Sequence, residues 1–186
     1  MKESTKKEII KPTFVLFAIC LVVTALLALT NSATKKAIDV QQAKDAQTSR
    51  QMALSEANSF VKSDKAADCY VGKKDGKSVG WVFTTKTTSY GGDITVMTGI
   101  NNTGKVSGVV LVSTSDTPGL GLNAQKESFR AQYKQQVPEN GFTVVKGGGA
   151  GKGQVNALTG ATITSKAVTK AVNEAVTEYQ KVKGGE

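Results

Sequence analysis

At 186 residues, 39% of them hydrophobic, the chain has room for one membrane segment and one globular domain of ordinary size. With no histidine and two distant cysteines, Cys20 and Cys69, it offers no His-based zinc site, no Cys cluster for iron–sulfur and no Ser-His-Asp triad, so neither a metal set nor catalytic residues of its own are expected. The net charge of +9 comes with only 6% aromatics and with scattered lysines, the pattern of a solvated surface and not of a nucleic-acid binder.

Residues 1–11 are short, polar and lysine-bearing (Lys2, Lys6, Lys7, Lys11) and read as a tail without structure. From Pro12 to Thr30 the chain is uncharged and rich in Leu, Val, Ile and Phe, and at about 1.5 Å per residue a helix of that length spans a bilayer core. A cleaved signal peptide begins the same way, but Asn31-Ser32-Ala33 is a poor cleavage site, which favours an uncleaved anchor over residues 12–32. The lysines before it are nearly balanced by Lys35, Lys36 and Lys44 after it, so charge does not orient the anchor. The short tail of an N-terminal anchor places the N-terminus in the cytoplasm and the remainder outside. Residues 33–63, rich in Ala, Gln, Lys, Ser and Glu, read as a helical connector.

Beyond it the chemistry shifts to strands. Cys69-Tyr70-Val71 and Val79 to Thr84 flank an Asp75-Gly76 hairpin turn, and Asp93 to Ile100 and Val106 to Val112 flank Asn101 to Lys105. Between the hairpins, Tyr90-Gly91-Gly92 suits a bend, and equally a close approach of backbone to a ligand. Thr117-Pro118-Gly119-Leu120-Gly121 describes a tight turn that displays Leu120; a leucine so displayed can lie against a flat ring, with Asp116 and Thr117 as hydrogen-bond partners for polar ring atoms, or the run is a plain surface turn. Gly119 to Ala124 fits the loose dinucleotide fingerprint without a βαβ unit around it. Gly147 to Gly153 imitates a phosphate loop but has Lys146 at the first glycine position and Gly153 where Ser or Thr belongs. Ala124 to Gln136 reads as a polar helix and Phe142 to Lys146 as a strand that ends on Lys146, either a surface lysine or one whose ammonium meets a carbonyl or phosphate of a ligand.

The last element is an amphipathic helix: Ala161, Thr164, Ala167, Val168, Ala171, Val172, Ala175, Val176, Tyr179 and Val182 recur at three- and four-residue intervals. Its start is expected near Thr159 or Gly160. Either Thr159 is a plain N-cap, or the unpaired N–H groups and the helix dipole hold a phosphate beside the hydroxyls.

Asn156-Ala157-Leu158-Thr159-Gly160-Ala161-Thr162 resembles the flavinylation motif of the FMN-binding domain shared by the G subunit of Rnf complexes and the C subunit of Na⁺-translocating NADH:quinone reductases. The Thr117 to Gly121 run is similar to a second motif of that family, with Asp116 where Glu is usual, and the family has a similar Tyr-Gly-Gly at Tyr90. The resemblance covers about Asp68 to Val182. It implies an α+β fold, with a mostly antiparallel, curved sheet packed by helices, in an extracytoplasmic domain over residues 64–186. It implies FMN bound covalently by a phosphoester to Thr162, with Thr159, Gly160 and Ala161 shaping the turn. Asp116, Thr117, Gly119, Leu120 and Gly121 would border the ring, and Lys146 and Tyr90 would contribute. It also implies a redox subunit of a ferredoxin:NAD⁺ oxidoreductase coupled to Na⁺ or H⁺ movement, without a complete active site in this chain alone, with the other subunits as partners and a flavin transferase (ApbE family) for maturation. Asn156 stands where the family usually has an acid that is thought to help the transferase and its Mg²⁺. The alternatives are a C subunit of the quinone reductase and a non-catalytic, anchored extracytoplasmic binding domain.

Overall fold

The computed structural model describes the backbone of residues 2–184 and the side chains of residues 9–184, so Met1, Gly185 and Glu186 lie outside the described residues. The chain divides into two compact units, Met1–Asp45 and Ala46–Glu186.

The first unit is the greater part of α1 (Lys2–Ala53). The segment read as an unstructured tail is helical from Lys2 on, because adding residues to an existing helix costs far less than starting one. An 18-residue window of α1 reaches a mean hydropathy of 2.6 with none of it buried, so its apolar side chains have no protein to cover them. The hydroxyls of Thr13 and Thr30 donate to the carbonyls of Ile9 and Leu26 at 2.8 and 2.9 Å, so neither of these two donors faces hydrocarbon unsatisfied.

In the second unit, five strands form an antiparallel sheet in the order of the sequence: β1 (Ser59–Ser63), β2 (Cys69–Lys74), β3 (Lys77–Ser89), β4 (Gly92–Asn101) and β5 (Val106–Ser113). The four expected strands are β2 to β5. β1 falls inside the expected helical connector: α1 ends at Ala53 and Ser59–Ser63 pairs with β2, so a tertiary edge overrides the local helical composition. Tyr90-Gly91 is the two-residue turn of a β3–β4 hairpin, since Ser89 pairs with Gly92, whose φ is +122°. The expected helix over Ala124 to Gln136 is instead α2 (Glu127–Arg130) between two 3-10 turns, Gly121–Gln125 and Ala131–Tyr133. Its buried residues, Ala124, Phe129 and Tyr133, lie five and four positions apart, too irregular for one helical stripe. β6 (Thr143–Val145) and β7 (Gln154–Asn156) make a small parallel pair.

The last helix, α3 (Thr162–Gly184), lies on one face of the large sheet. All ten residues of the expected stripe are buried, and those from Ala167 to Val182 join Trp81, Phe83, Ile94 and Val96 in the main core. Thr85 and Thr87 of β3 donate to the Ala171 and Ala167 carbonyls, both at 3.1 Å, which fixes the helix along the strand. The opposite face is covered by the end of α1, where Ala53, Leu54 and Ala57 pack on Val82, Met97 and Val110. Gly99 pairs with Gly108 across β4 and β5, and this bare pair lets the Ala53 carbonyl sit directly on the sheet.

Cys69 of β2 is free and buried beneath α3. Burial, and then the charge of Glu178, push its thiol up to about 11. It therefore stays protonated at neutral pH, and in a Cys20→Ser chain, which lacks the exposed second thiol, we expect iodoacetamide at pH 8 to label Cys69 only after denaturation, as read by intact mass; labelling of that folded chain would show that β2 opens.

Candidate functional site

The site is made by two glycine turns that the sheet brings together. In the first, Leu120 N–H donates to Thr117 O at 3.2 Å, with Pro118 second and Gly119, at φ +78°, third, the pattern of a type II turn. In the second, Ala161 N–H donates to Leu158 O at 3.0 Å and Gly160, at φ +74°, takes the same third position. The turns touch: a Cβ on Gly160 would lie 3.0 Å from Leu120 Cδ2.

Between them lies a cavity of about 620 Å³, within the roughly 300–1,000 Å³ usual for small-molecule sites. Of the residues singled out in the sequence, Tyr90, Asp116, Thr117, Leu120, Gly121, Gly160, Ala161 and Thr162 line it. Thr159, Gly119 and Lys146 do not: all three are exposed, Thr159 and Gly119 on the outside of their turns and Lys146 just past β6. Ile163 and Thr164 also line the cavity. Thr164 carried a signal, its place on the buried stripe of α3; Ile163, 57% exposed, lies off that stripe and carried none.

The helix begins at Thr162, two or three residues later than expected. Ser165 N–H reaches Ala161 O at 3.0 Å, so by helix geometry the N–H groups of Thr162, Ile163 and Thr164 lack intrahelical acceptors. These are the orphan donors that, with the dipole of a 23-residue helix, suit an anion. Thr159 is not the cap, because the turn is secured from within the helix. Ser165 Oγ accepts from Leu158 N–H at 3.0 Å and donates to Ala161 O at 2.9 Å. Thr169 Oγ1 donates to Ser165 O at 2.8 Å, which leaves Tyr133 OH as donor to Thr169 at 2.7 Å. Burial pushes the Tyr133 phenol well up, so that proton stays in place.

Asp116 plays a part the sequence did not suggest. Only 3% exposed, it accepts from Ser89 Oγ at 2.7 Å and from Gly91 N–H at 2.8 Å, so its oxygens serve the protein before any ligand. Burial works to raise its pKa, but the hydrogen bonds from Ser89, Gly91, Thr164 and Thr114 outweigh it and hold the carboxyl below the usual value. Asn156, at the end of β7, accepts from Ala150 N–H through Oδ1 at 3.1 Å and ties down the glycine loop. An aspartate could make the same contact, so the departure from the family's acid leaves the backbone here intact.

Residues 89–177 match the family model described as FMN-binding domain, and residues 1–51 match that of the RnfG N-terminal region. The chain is similar to the G subunit of the proton-translocating ferredoxin:NAD(+) oxidoreductase complex of Clostridium ljungdahlii, 41% identical over 71% of this chain and 70% of that one. It is also similar to the G subunit of the Na(+)-translocating ferredoxin:NAD(+) oxidoreductase complex of Acetobacterium woodii, 33% identical over 94% of this chain and 93% of that one. Among solved structures, NqrC of Shewanella oneidensis superposes with a TM-score of 0.54 at 22% identity, covering 73% of this chain and 74% of that one. The C subunit of the Na(+)-translocating NADH-quinone reductase of Parabacteroides distasonis gives 0.56 at 18% identity, covering 76% and 93%. These two share the fold.

Proposed function

Because this chain belongs to the family of G subunits of ion-translocating ferredoxin:NAD⁺ oxidoreductase complexes, we propose that it carries FMN as a phosphoester on Thr162 and relays electrons within such a complex. Its FMN-binding domain and its family make it an electron-transfer subunit, anchored by α1 and assembled with the other subunits. The observation that carries the finer reading is the position of Thr162 as first residue of α3, on the wall of the cavity, beside three orphan N–H groups.

The residues fit the group. Gly160 and Gly121 keep the walls free of side chains, and Leu120, Ile163 and Tyr90 supply apolar surface suited to a flat ring. FMN, when bound, supplies the electron-carrying chemistry. The chain would supply the rest: Thr162 Oγ1 would hold the group by a bond to phosphorus, its hydroxyl proton passing to water and the leaving group of an activated FMN ester, presented by the transferase, departing with its own oxygen. The N–H groups of the first turn meet the remaining phosphate charge. Anchorage through the phosphate leaves the ring unmodified, and the ester keeps the cofactor from being lost on the outer face of the membrane, where we place residues 64–186, with the N-terminus inside.

Intact mass spectrometry tests this directly. Chain expressed with a flavin transferase is expected to be yellow and heavier by one FMN less water, and chain expressed without it colourless and unmodified. Unmodified mass in both hosts would overturn the ester.

A further inference from the structure

Asp116 bears the cavity lining's single formal charge among the described residues, and that charge is held still. Its two carboxylate oxygens are tied to the β3–β4 turn through Ser89 and Gly91, and the Thr164 hydroxyl in the first turn of α3 helps to keep it ionised. On its other side Gly121 packs so closely that a Cβ there would fall 2.6 Å from Asp116 Cβ and 2.7 Å from Thr164 Oγ1. The residue is held in place by its hydrogen bonds, and at 3% exposure it meets little solvent to screen its charge. Among the described residues no lysine or arginine lines the cavity to offset it. A fixed negative charge opposes the arrival of an electron on a neighbouring ring.

We propose that Asp116 is a positioning residue that also sets the reduction potential of the bound flavin, holding it low by placing one buried negative charge at the junction of the β3–β4 turn and the anchor helix. This rests on the reading that a flavin occupies the cavity. It assigns to Asp116 an electrostatic effect through the protein-held carboxylate instead of hydrogen bonds donated or accepted at the ring.

The full chain, co-expressed with the transferase, is compared with Asp116→Asn, Asp116→Glu and Ser89→Ala by spectroelectrochemical titration and by flavin fluorescence in denaturing gels. Asp116→Asn keeps an acceptor oxygen but loses the charge. It is expected to favour the reduced flavin on the order of tenfold, about 30 mV upward for a two-electron couple. Asp116→Glu keeps the charge and is expected to restore the wild-type potential. Ser89→Ala loosens the same clamp while leaving the charge less compensated, and its potential is expected to stay or fall.

An unchanged or lower potential in Asp116→Asn overturns the proposal, as does a rise in Ser89→Ala, which would make clamp geometry the cause. Should Asp116→Asn not fold, Asp116→Ser, smaller and likewise uncharged, takes its place and is read the same way: a rise supports the proposal and an unchanged or lower potential overturns it. A wild-type chain that keeps its flavin natively but loses it in the gel refutes the ester, and the Asp116 comparison is then read on the non-covalent flavin. A chain that holds no flavin in either form overturns both.

Discussion

Thr162→Ala is expected to abolish covalently held flavin, taking the fluorescence of the denatured chain from one flavin per chain to background. The substitution removes the hydroxyl proposed as the ester oxygen while leaving the helix start intact. Thr162 is partly buried, its turn is held by Ser165 and Leu158 and not by its own hydroxyl, and alanine is the better helix former. The fold should therefore survive, and near-native thermal unfolding of the variant would separate loss of the anchor from loss of structure. Thr162→Ser restores a hydroxyl at the same position and should restore fluorescence at least in part. Thr159→Ala, one turn earlier and outside the cavity, should keep it. A Thr162→Ala chain that still fluoresces would move the anchor to another hydroxyl, with Thr164 the next on the wall.

The second large effect concerns the ground on which the site is built. Gly99→Ala is expected to cost about 3 kcal/mol, the upper end of the roughly 1–3 kcal/mol typical of overpacking. A Cβ on Gly99 would run into the carbonyl of Ala53 and come 3.1 Å from Leu54 N. Both obstacles are backbone at the end of α1, and Gly99 itself is fixed in a paired strand, so neither side can yield as a flexible side chain would. Relief requires lifting the end of α1 off the sheet, which uncovers Leu54, Met97 and Val110, at about 1.5–3 kcal/mol for each large apolar side chain exposed in full. Gly151→Ala is the matching control. Its φ is not in the left-handed region and a Cβ there meets only Gln154 Oε1, at 3.5 Å, so a change within about 0.5 kcal/mol is expected. Chemical denaturation of the full chain in detergent measures both, and a Gly99→Ala midpoint equal to that of wild type would show that α1 does not seat on this face.

Sequence alone determined whatever depends on a few consecutive residues. The spacing of Ala161 through Val182 settled which side of α3 is buried, because a helix repeats its faces every 3.6 residues whatever it packs on. Pro118-Gly119 prescribed its turn through the φ values those two residues take, and the uncharged run after Pro12 prescribed a helix fit for a bilayer. The motif residues also carried the family. What only the tertiary structure decided is which of these local pieces meet. The register of the β3–β4 and β4–β5 pairs carries the Leu120 turn to the start of α3, and that meeting brings in Ile163 and Thr164 and leaves Thr159, Gly119 and Lys146 outside. The same meeting turns the Asp116 carboxylate toward Ser89 and Gly91, because a buried charge must find its donors wherever the fold has put them. β1 became a strand for a related reason: its composition permits a helix, and only the open edge of β2 gives its backbone groups partners.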